Sequence, residues 1–253
     1  MLLTCNTRPG SESWAARPDF GLPAGVVIFR LSVSGSRAFT AQAAAVLQAD
    51  ELRRAQRYHR PEDYYRFLLG RAALRLVLGA YVGQPPASLY FEPGANKKPL
   101  LREAPALHYN VSHAGDWVLL AVAAAEVGID VERLDPLFAF QDVLDHSFST
   151  AEKTFIEHNP VPYQAFYQLW TRKESFVKAT GQGIDAEFSQ VPALDGEHHL
   201  AGSGRVPRWV VSSFGGAAGY AAAVAYPAVL TSSPQFYDLG SGVLGGLYEA
   251  AQR

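Results

Sequence analysis

Apolar and polar positions divide this chain into recognisable elements. Val26, Val27, Ile28, Phe29, Leu31 and Val33 are β-branched or large and partly alternate with polar residues, which predicts a first strand over 26–33. Residues 40–57 are rich in Ala, Gln, Leu and Arg and predict a helix with Thr40 as its cap. Pro61 interrupts that pattern. A second helix is expected over 62–81, because Phe67, Leu68, Leu74, Val77 and Leu78 recur at three- and four-residue steps. Pro85-Pro86 ends it. Residues 88–134 predict a small sheet, with strands at 89–91, 108–111, 117–122 and 127–131 separated by Gly or Pro. Helical patterns return at 136–146, 150–158 and 162–180, the last stopped by Gly181-Gln182-Gly183. A strand pair at 208–213 and 220–226 brackets Gly215-Gly216. Residues 1–24 hold Pro9, Gly10, Pro18, Gly21 and Pro23 and read as a loose arm. The stretch 227–253 reads as a Ser- and Gly-rich tail with a short helix near 243–251. Strands and helices mix without regular βαβ alternation, so the expected class is α+β.

Composition narrows the function classes. At 253 residues the chain suits one large domain or two small ones, with enough apolar residues, 48%, to bury a core. The single cysteine, Cys5, excludes a disulfide framework and a zinc site built from several thiolates. Met1-Leu2-Leu3-Thr4-Cys5 lacks a basic region before an apolar run, so no signal peptide is expected. No uncharged apolar stretch approaches about 18 residues, so no membrane span is expected. A cytoplasmic setting follows as the expectation. A net charge of -2 argues against a nucleic-acid partner.

Local clusters carry the chemistry. In Gly128-Ile129-Asp130-Val131-Glu132, a strand would turn both carboxylates to one face and Ile129 and Val131 to the other. Two like charges so close call for a cation, and hard oxygen ligands suit Mg²⁺. A half-solvated strand alternates in the same way. In residues 170–178, Glu174 and Lys178 share a helix face. They are either an ordinary surface pair or a ligand or base beside a phosphate contact. His108 to Gly115 read as an apolar strand ending in a polar turn, where Asn110, Ser112 and His113 can bond an anion or simply satisfy one another. His113 is also placed to carry charge near neutral pH. The Gly-x-Ser-x-Gly elbow of a serine hydrolase is missing there. Arg53, Arg54, Arg57, Arg60, Arg66, Arg71 and Arg75 stand against only Glu62 and Asp63 between 53 and 75. Arginine forks suit phosphate, and a solvated helix face explains the same run. Lys97-Lys98-Pro99 adds two cations in a turn.

In order, these are an Arg-rich helix, Lys-Pro, Asn-x-Ser-His, Gly-Ile-Asp-x-Glu and Trp-x-x-Lys-Glu-x-x-x-Lys. The series resembles the 4'-phosphopantetheinyl transferases of the long surfactin-synthetase-activating (Sfp) type, over about residues 26–226. The resemblance implies two similar α+β halves, a pseudo-dimeric fold at 25–124 and 125–226, with coenzyme A in the cleft between them. It implies Mg²⁺ on Asp130, Glu132 and Glu174, with Glu174 as general base and Lys178 on the phosphates. It implies that Arg54, Lys97, Lys98, Pro99, Asn110, Ser112, His113 and Lys178 line the coenzyme A site. The partners would be acyl or peptidyl carrier proteins, and a monomer would complete the cleft. This chain has Lys97 where the family often has Gly before Lys-Pro, and Phe67 where relatives can carry a small hydroxyl residue. The other function class is a non-catalytic binder of coenzyme A or carrier domains on the same fold.

Overall fold

The computed structural model describes residues 1–8, 12–15, 20–94, 98–181, 188–200 and 208–253. Its elements are β1 (Leu2–Thr7), β2 (Gly25–Ser32), α1 (Thr40–Ala45), α2 (Ala49–Ala55), α3 (Pro61–Val82), β3 (Phe91–Pro93), β4 (Pro99–Leu101), β5 (His108–Ala114) and β6 (Trp117–Ala123). There follow β7 (Gly128–Arg133), α4 (Gln141–Ser147), α5 (Thr150–Glu157), α6 (Pro162–Thr180), β8 (Gly196–His199), β9 (Arg208–Phe214), β10 (Tyr220–Pro227), β11 (Ser232–Asp238) and α7 (Ser241–Ala250).

The class is α+β, built around two sheets. One has the order β11-β2-β6-β5 and the other β7-β10-β9-β1-β8, with β3 and β4 as a separate hairpin. The chain passes between the sheets from β1 to β2, in the short link from β6 to β7, and from β10 to β11. α3 covers the first sheet and α6 the second. α3 begins with Pro61 in its first turn, where a missing N–H costs nothing, followed by Glu62 and Asp63, which favour the positive end of the helix dipole. It ends at Gly83, whose φ of 65° only glycine adopts freely. Between these ends it is buried from Leu68 to Gly79 except at Arg71, packed on Phe29, Leu31 and Leu120 of the first sheet. A second core lies between the sheets, joining Val26, Ile28, Leu119 and Ala121 to Ile129, Val131 and Val224.

Both chain ends depart from the expected arm and tail. Residues 2–7 form β1, an inner strand of the second sheet, parallel to β9 with Leu3 opposite Trp209 and Cys5 opposite Val211. Residues 232–238 form β11, parallel to β2, with Phe236 opposite Ile28. Each terminal strand therefore joins the sheet built mainly by the other part of the chain. Their apolar residues are few, and burial comes from partners some 200 positions away, such as Trp209 for Leu3. The expected helix 40–57 is two helices, α1 and α2. Gln48 and Glu51 form a capping box that restarts the helix, and Thr40 caps nothing, since its hydroxyl donates to the Arg37 carbonyl. The helix expected from 136 starts only at Gln141, after a turn in which Asp135 accepts the Leu137 amide. Gln182 and Gly183 lie outside the described residues, but Gly181 ends α6 with φ 74°.

Glu51 also anchors the arginine-rich region. Its carboxylate bonds Arg75 Nε at 2.7 Å and Nη2 at 3.0 Å, and also Arg71. Arg75 is fully buried and completes its bonds with the carbonyls of Pro86 and Leu89. Burial alone pushes the Glu51 carboxyl up, but Arg75 and Arg71 outweigh it and hold it below its ordinary value. Its stabilising effect is therefore complete above the ordinary carboxylate range and fades as the pH falls below it. Glu51→Ala leaves Arg75 buried without its counter-ion, so we expect a loss of about 3–5 kcal/mol in urea unfolding at pH 7. The loss should shrink in acid.

Candidate active site where the two sheet edges meet

β7 and α6 approach unusually closely, and the cause is Gly128. A Cβ there would sit 2.0 Å from the Ser175 carbonyl oxygen and 2.4 Å from the Ala179 nitrogen. Gly128, Asp130 and Glu132 share one strand face, and α6 lies against it, while Ile129 and Val131 enter the core between the sheets. On α6, Glu174 and Lys178 are one turn apart.

The acids meet around one ammonium group. Lys178 Nζ lies 2.5 Å from Asp130 Oδ1 and 4.0 Å from Glu174 Oε2. The helical Glu174–Lys178 pair is thus the weaker contact, and Asp130 is the closer partner. Ser112 Oγ donates to the same Asp130 Oδ1 at 2.8 Å. Asp130 Oδ2 is buried and has no hydrogen-bond partner among the described residues. Burial, then the Asp130 charge, pushes the Glu132 carboxyl up to about 7. Burial likewise raises Glu174, with Lys178 opposing it.

These groups match what a divalent cation needs. Two carboxylates on one strand face, a third across on a helix and an orphaned buried oxygen form a hard, negative donor set. As the side chains stand, no three His, Cys, Asp or Glu groups among the described residues form a closed ligand set, and Lys178 supplies the local positive charge. Glu132 gives a test of this crowding. Its neutral form is favoured when folded, so the penalty is absent below about pH 4.5 and grows as the pH rises through 7. Without divalent cations at pH 8, Glu132→Gln should raise unfolding stability by about 1–2 kcal/mol, with no gain at pH 4. Urea titrations at the two pH values check this.

A cavity of about 250 Å³ lies between α3 and β5. Arg54, Pro99, Asn110 and His113 of the expected set line it. Arg66 and Arg71 of the arginine run line it too, as does Phe67, the position where relatives can carry a small hydroxyl residue; these three are outside the coenzyme A set expected from the sequence. Their signal was available: 66, 67, 70, 71 and 74 fall on one face of α3 at helical spacing. The Arg54 guanidinium lies over the Phe67 ring, 4.9 Å from its centre. Arg66 is held by Asp63 and by the Gly115 carbonyl at 2.9 Å, and Arg71 by Glu51. Burial pushes His113 below its ordinary value, and the nearby Arg66 and Lys178 charges act in the same direction.

Of the expected set, Lys98, Ser112 and Lys178 do not line the cavity, and Lys178 sits among the acids. Lys98 Nζ donates to the carbonyls of Val127 at 2.9 Å and Ala179 at 3.0 Å. It ties the β3–β4 hairpin to the start of β7 and the end of α6, and burial pushes it down to about 8. Ser112 is buried against Asp130 instead of facing the cavity. Lys97 lies outside the described residues. Asn110 links the two regions, since it lines the cavity and its Oδ1 accepts the Ile129 amide at 2.8 Å.

Comparison with known proteins decides the family. The 4'-phosphopantetheinyl transferase superfamily pattern matches residues 126–225, and that of the 4'-phosphopantetheinyl transferase N-terminal region matches 34–125. A Synechocystis protein named as a 4'-phosphopantetheinyl transferase is 35% identical over 177 residues, covering 67% of this chain and 72% of that one. This chain belongs to the 4'-phosphopantetheinyl transferase superfamily. The psf-1 transferase of Bacillus pumilus is 36% identical over 141 residues, 55% of this chain and 60% of that one. The Sfp transferase of Bacillus subtilis strain 168 is 29% identical over 140 residues, 54% of this chain and 62% of that one. These relatives make the transferase one of the Sfp type, and it spans about three-fifths of the length of the Bacillus proteins it matches. Its two family matches follow one another along the chain, as two halves do. No helix among the described residues is long and apolar enough to cross a membrane.

Proposed function

We infer that this transferase moves 4'-phosphopantetheine from coenzyme A to a serine hydroxyl of an acyl or peptidyl carrier protein, releasing 3',5'-ADP. The observation that carries this is the meeting of Asp130, Glu174 and Lys178, with Glu132 feeling their charges, on the far side of Ser112 from an arginine-lined cavity that reaches Asn110. The serine oxygen forms a bond to the phosphorus nearest pantetheine, and the bond from that phosphorus to the bridging oxygen breaks. Such a reaction asks the protein mainly for positioning and for neutralisation of charge. Asp130, Glu132 and Glu174 would hold Mg²⁺, which when bound neutralises diphosphate charge. Glu174, buried and biased towards protonation, takes the serine proton. Lys178 contacts the phosphates and is placed to protonate the leaving oxygen. Arg54 and Arg66 hold the phosphate-bearing nucleotide end in the cavity.

The acceptor reading follows from charge. Carrier domains tend to be acidic, and Arg53, Arg57 and Arg60 are exposed near Arg54, so they would steer docking in a salt-dependent way. One chain supplies both the cavity and the acids, which fits a monomer. A free, buried Cys5 fits a reducing cytoplasm. All the acidic side chains are present, so no observation favours the non-catalytic alternative. The test is incubation with coenzyme A, Mg²⁺ and a panel of apo carrier proteins, read by intact mass. Addition of one phosphopantetheine mass, dependent on Mg²⁺, supports the reading. No mass addition to any carrier rejects it.

A further inference from the structure

β5 and β7 are edge strands of different sheets, and they lie side by side without a main-chain ladder among the described residues. Side chains take the ladder's place. Asn110 and Ser112 are two apart on β5, so they face the same way. Asn110 Oδ1 accepts the Ile129 amide at 2.8 Å, and Ser112 Oγ accepts the Val131 amide at 3.3 Å. These amides are the alternate ones that point away from β10.

We propose that Asn110 and Ser112 stitch the two sheet edges in register, and that Ser112 is a positioning residue for Asp130, not a contact for coenzyme A. The hydrogen-bond capacity of Ser112 carries the argument. A hydroxyl has one proton and two lone pairs. The proton goes to Asp130 Oδ1 at 2.8 Å, and the lone pairs face the Val131 amide and Lys178 Nζ at 3.3 Å. A phosphate offers only acceptors, so Ser112 has no donor left for it without releasing Asp130. With Oδ1 pinned by Ser112 and Lys178, the carboxylate cannot rotate freely, and Oδ2 is the oxygen left open. Asn110 keeps its NH₂ as a donor for an anionic ligand in the cavity. The stitch therefore sets how the acids sit relative to the cavity, because one face belongs to each sheet.

The kinetic part rests on the transfer reading above; the exchange part does not. Ser112→Ala, Ser112→Thr and Asn110→Ala are made in the full chain. Amide hydrogen exchange is followed at Ile129 and Val131 in the metal-free protein without coenzyme A. We expect Ser112→Ala to speed exchange at Val131 and Asn110→Ala to speed it at Ile129, each by about tenfold or more. Ser112→Ala should lower kcat by about tenfold or more while KM for coenzyme A stays within twofold, and Ser112→Thr should restore both readouts. If Ser112→Ala fails to fold, the near-isosteric Ser112→Cys takes its place with the same readouts. Unchanged exchange at both amides overturns the stitch. A rise in KM for coenzyme A with kcat intact overturns the positioning role and returns Ser112 to the ligand. Wild-type protein that transfers nothing defeats the functional reading alone, and the exchange data then still judge the stitch.

Discussion

Asp130→Ala is expected to reduce phosphopantetheine transfer by a factor on the order of 10²–10³, with little change in the thermal unfolding midpoint. The reason lies in what Asp130 touches. It is buried at 2% exposure, takes hydrogen bonds from Ser112 and Lys178 on one oxygen, and leaves the other unpartnered. Removing it deletes the most enclosed of three acids and frees Lys178 to swing away from the phosphates. Stability should hold because Asp130 is also one of the charges that disfavour ionised Glu132, so its loss relieves repulsion. Lys178 is 30% exposed and can return to water. The measurement is turnover on a carrier protein alongside a melting curve. Near-normal turnover would remove Asp130 from the mechanism, and collapse of the melting curve would recast it as structural.

Gly128→Ala carries the second large effect, this time through the backbone. Gly128 has no left-handed φ, so the penalty is one of space alone. The added methyl would meet the Ser175 carbonyl and the Ala179 nitrogen, both main-chain atoms of α6 that no rotamer change can move. α6 or β7 must shift, and overpacking of this kind costs about 3 kcal/mol. For a chain of this size that lowers the melting temperature by roughly 6–12 °C. The same shift separates Glu174 and Lys178 from Asp130 and strains the Lys98 clamp, whose acceptors include the Ala179 carbonyl. A displacement of about 1 Å at a reacting centre is enough for a 10²-fold loss, so turnover measured well below the new melting point should also fall steeply. A variant that melts and turns over like the wild type would show that β7 and α6 have room to spare.

Much of the site was readable from local pattern. The period of two placed Asp130 and Glu132 on one face of β7, and the period of 3.6 placed Glu174 and Lys178 on one face of α6. The ordered motifs then indicated the family. What the pattern could not rank was which lysine does what. Lys98 and Lys178 look alike in a string of letters, yet one clamps two carbonyls and the other sits between acids. Ser112 and His113 are adjacent, yet one points to Asp130 and the other lines the cavity.

The sequence by itself determined the elements whose burial repeats along their own length. These include β2, α3, α6, β7 and β10, because each carries its apolar period within a short window. Tertiary structure alone decided that β1 and β11 are strands, that Glu51 neutralises Arg75, and that Asn110 and Ser112 bridge two sheets. Each of those depends on a partner 19 to about 200 residues away. A contact at that range leaves no periodic trace, since its favourable energy appears only once the chain has closed and brought both partners together.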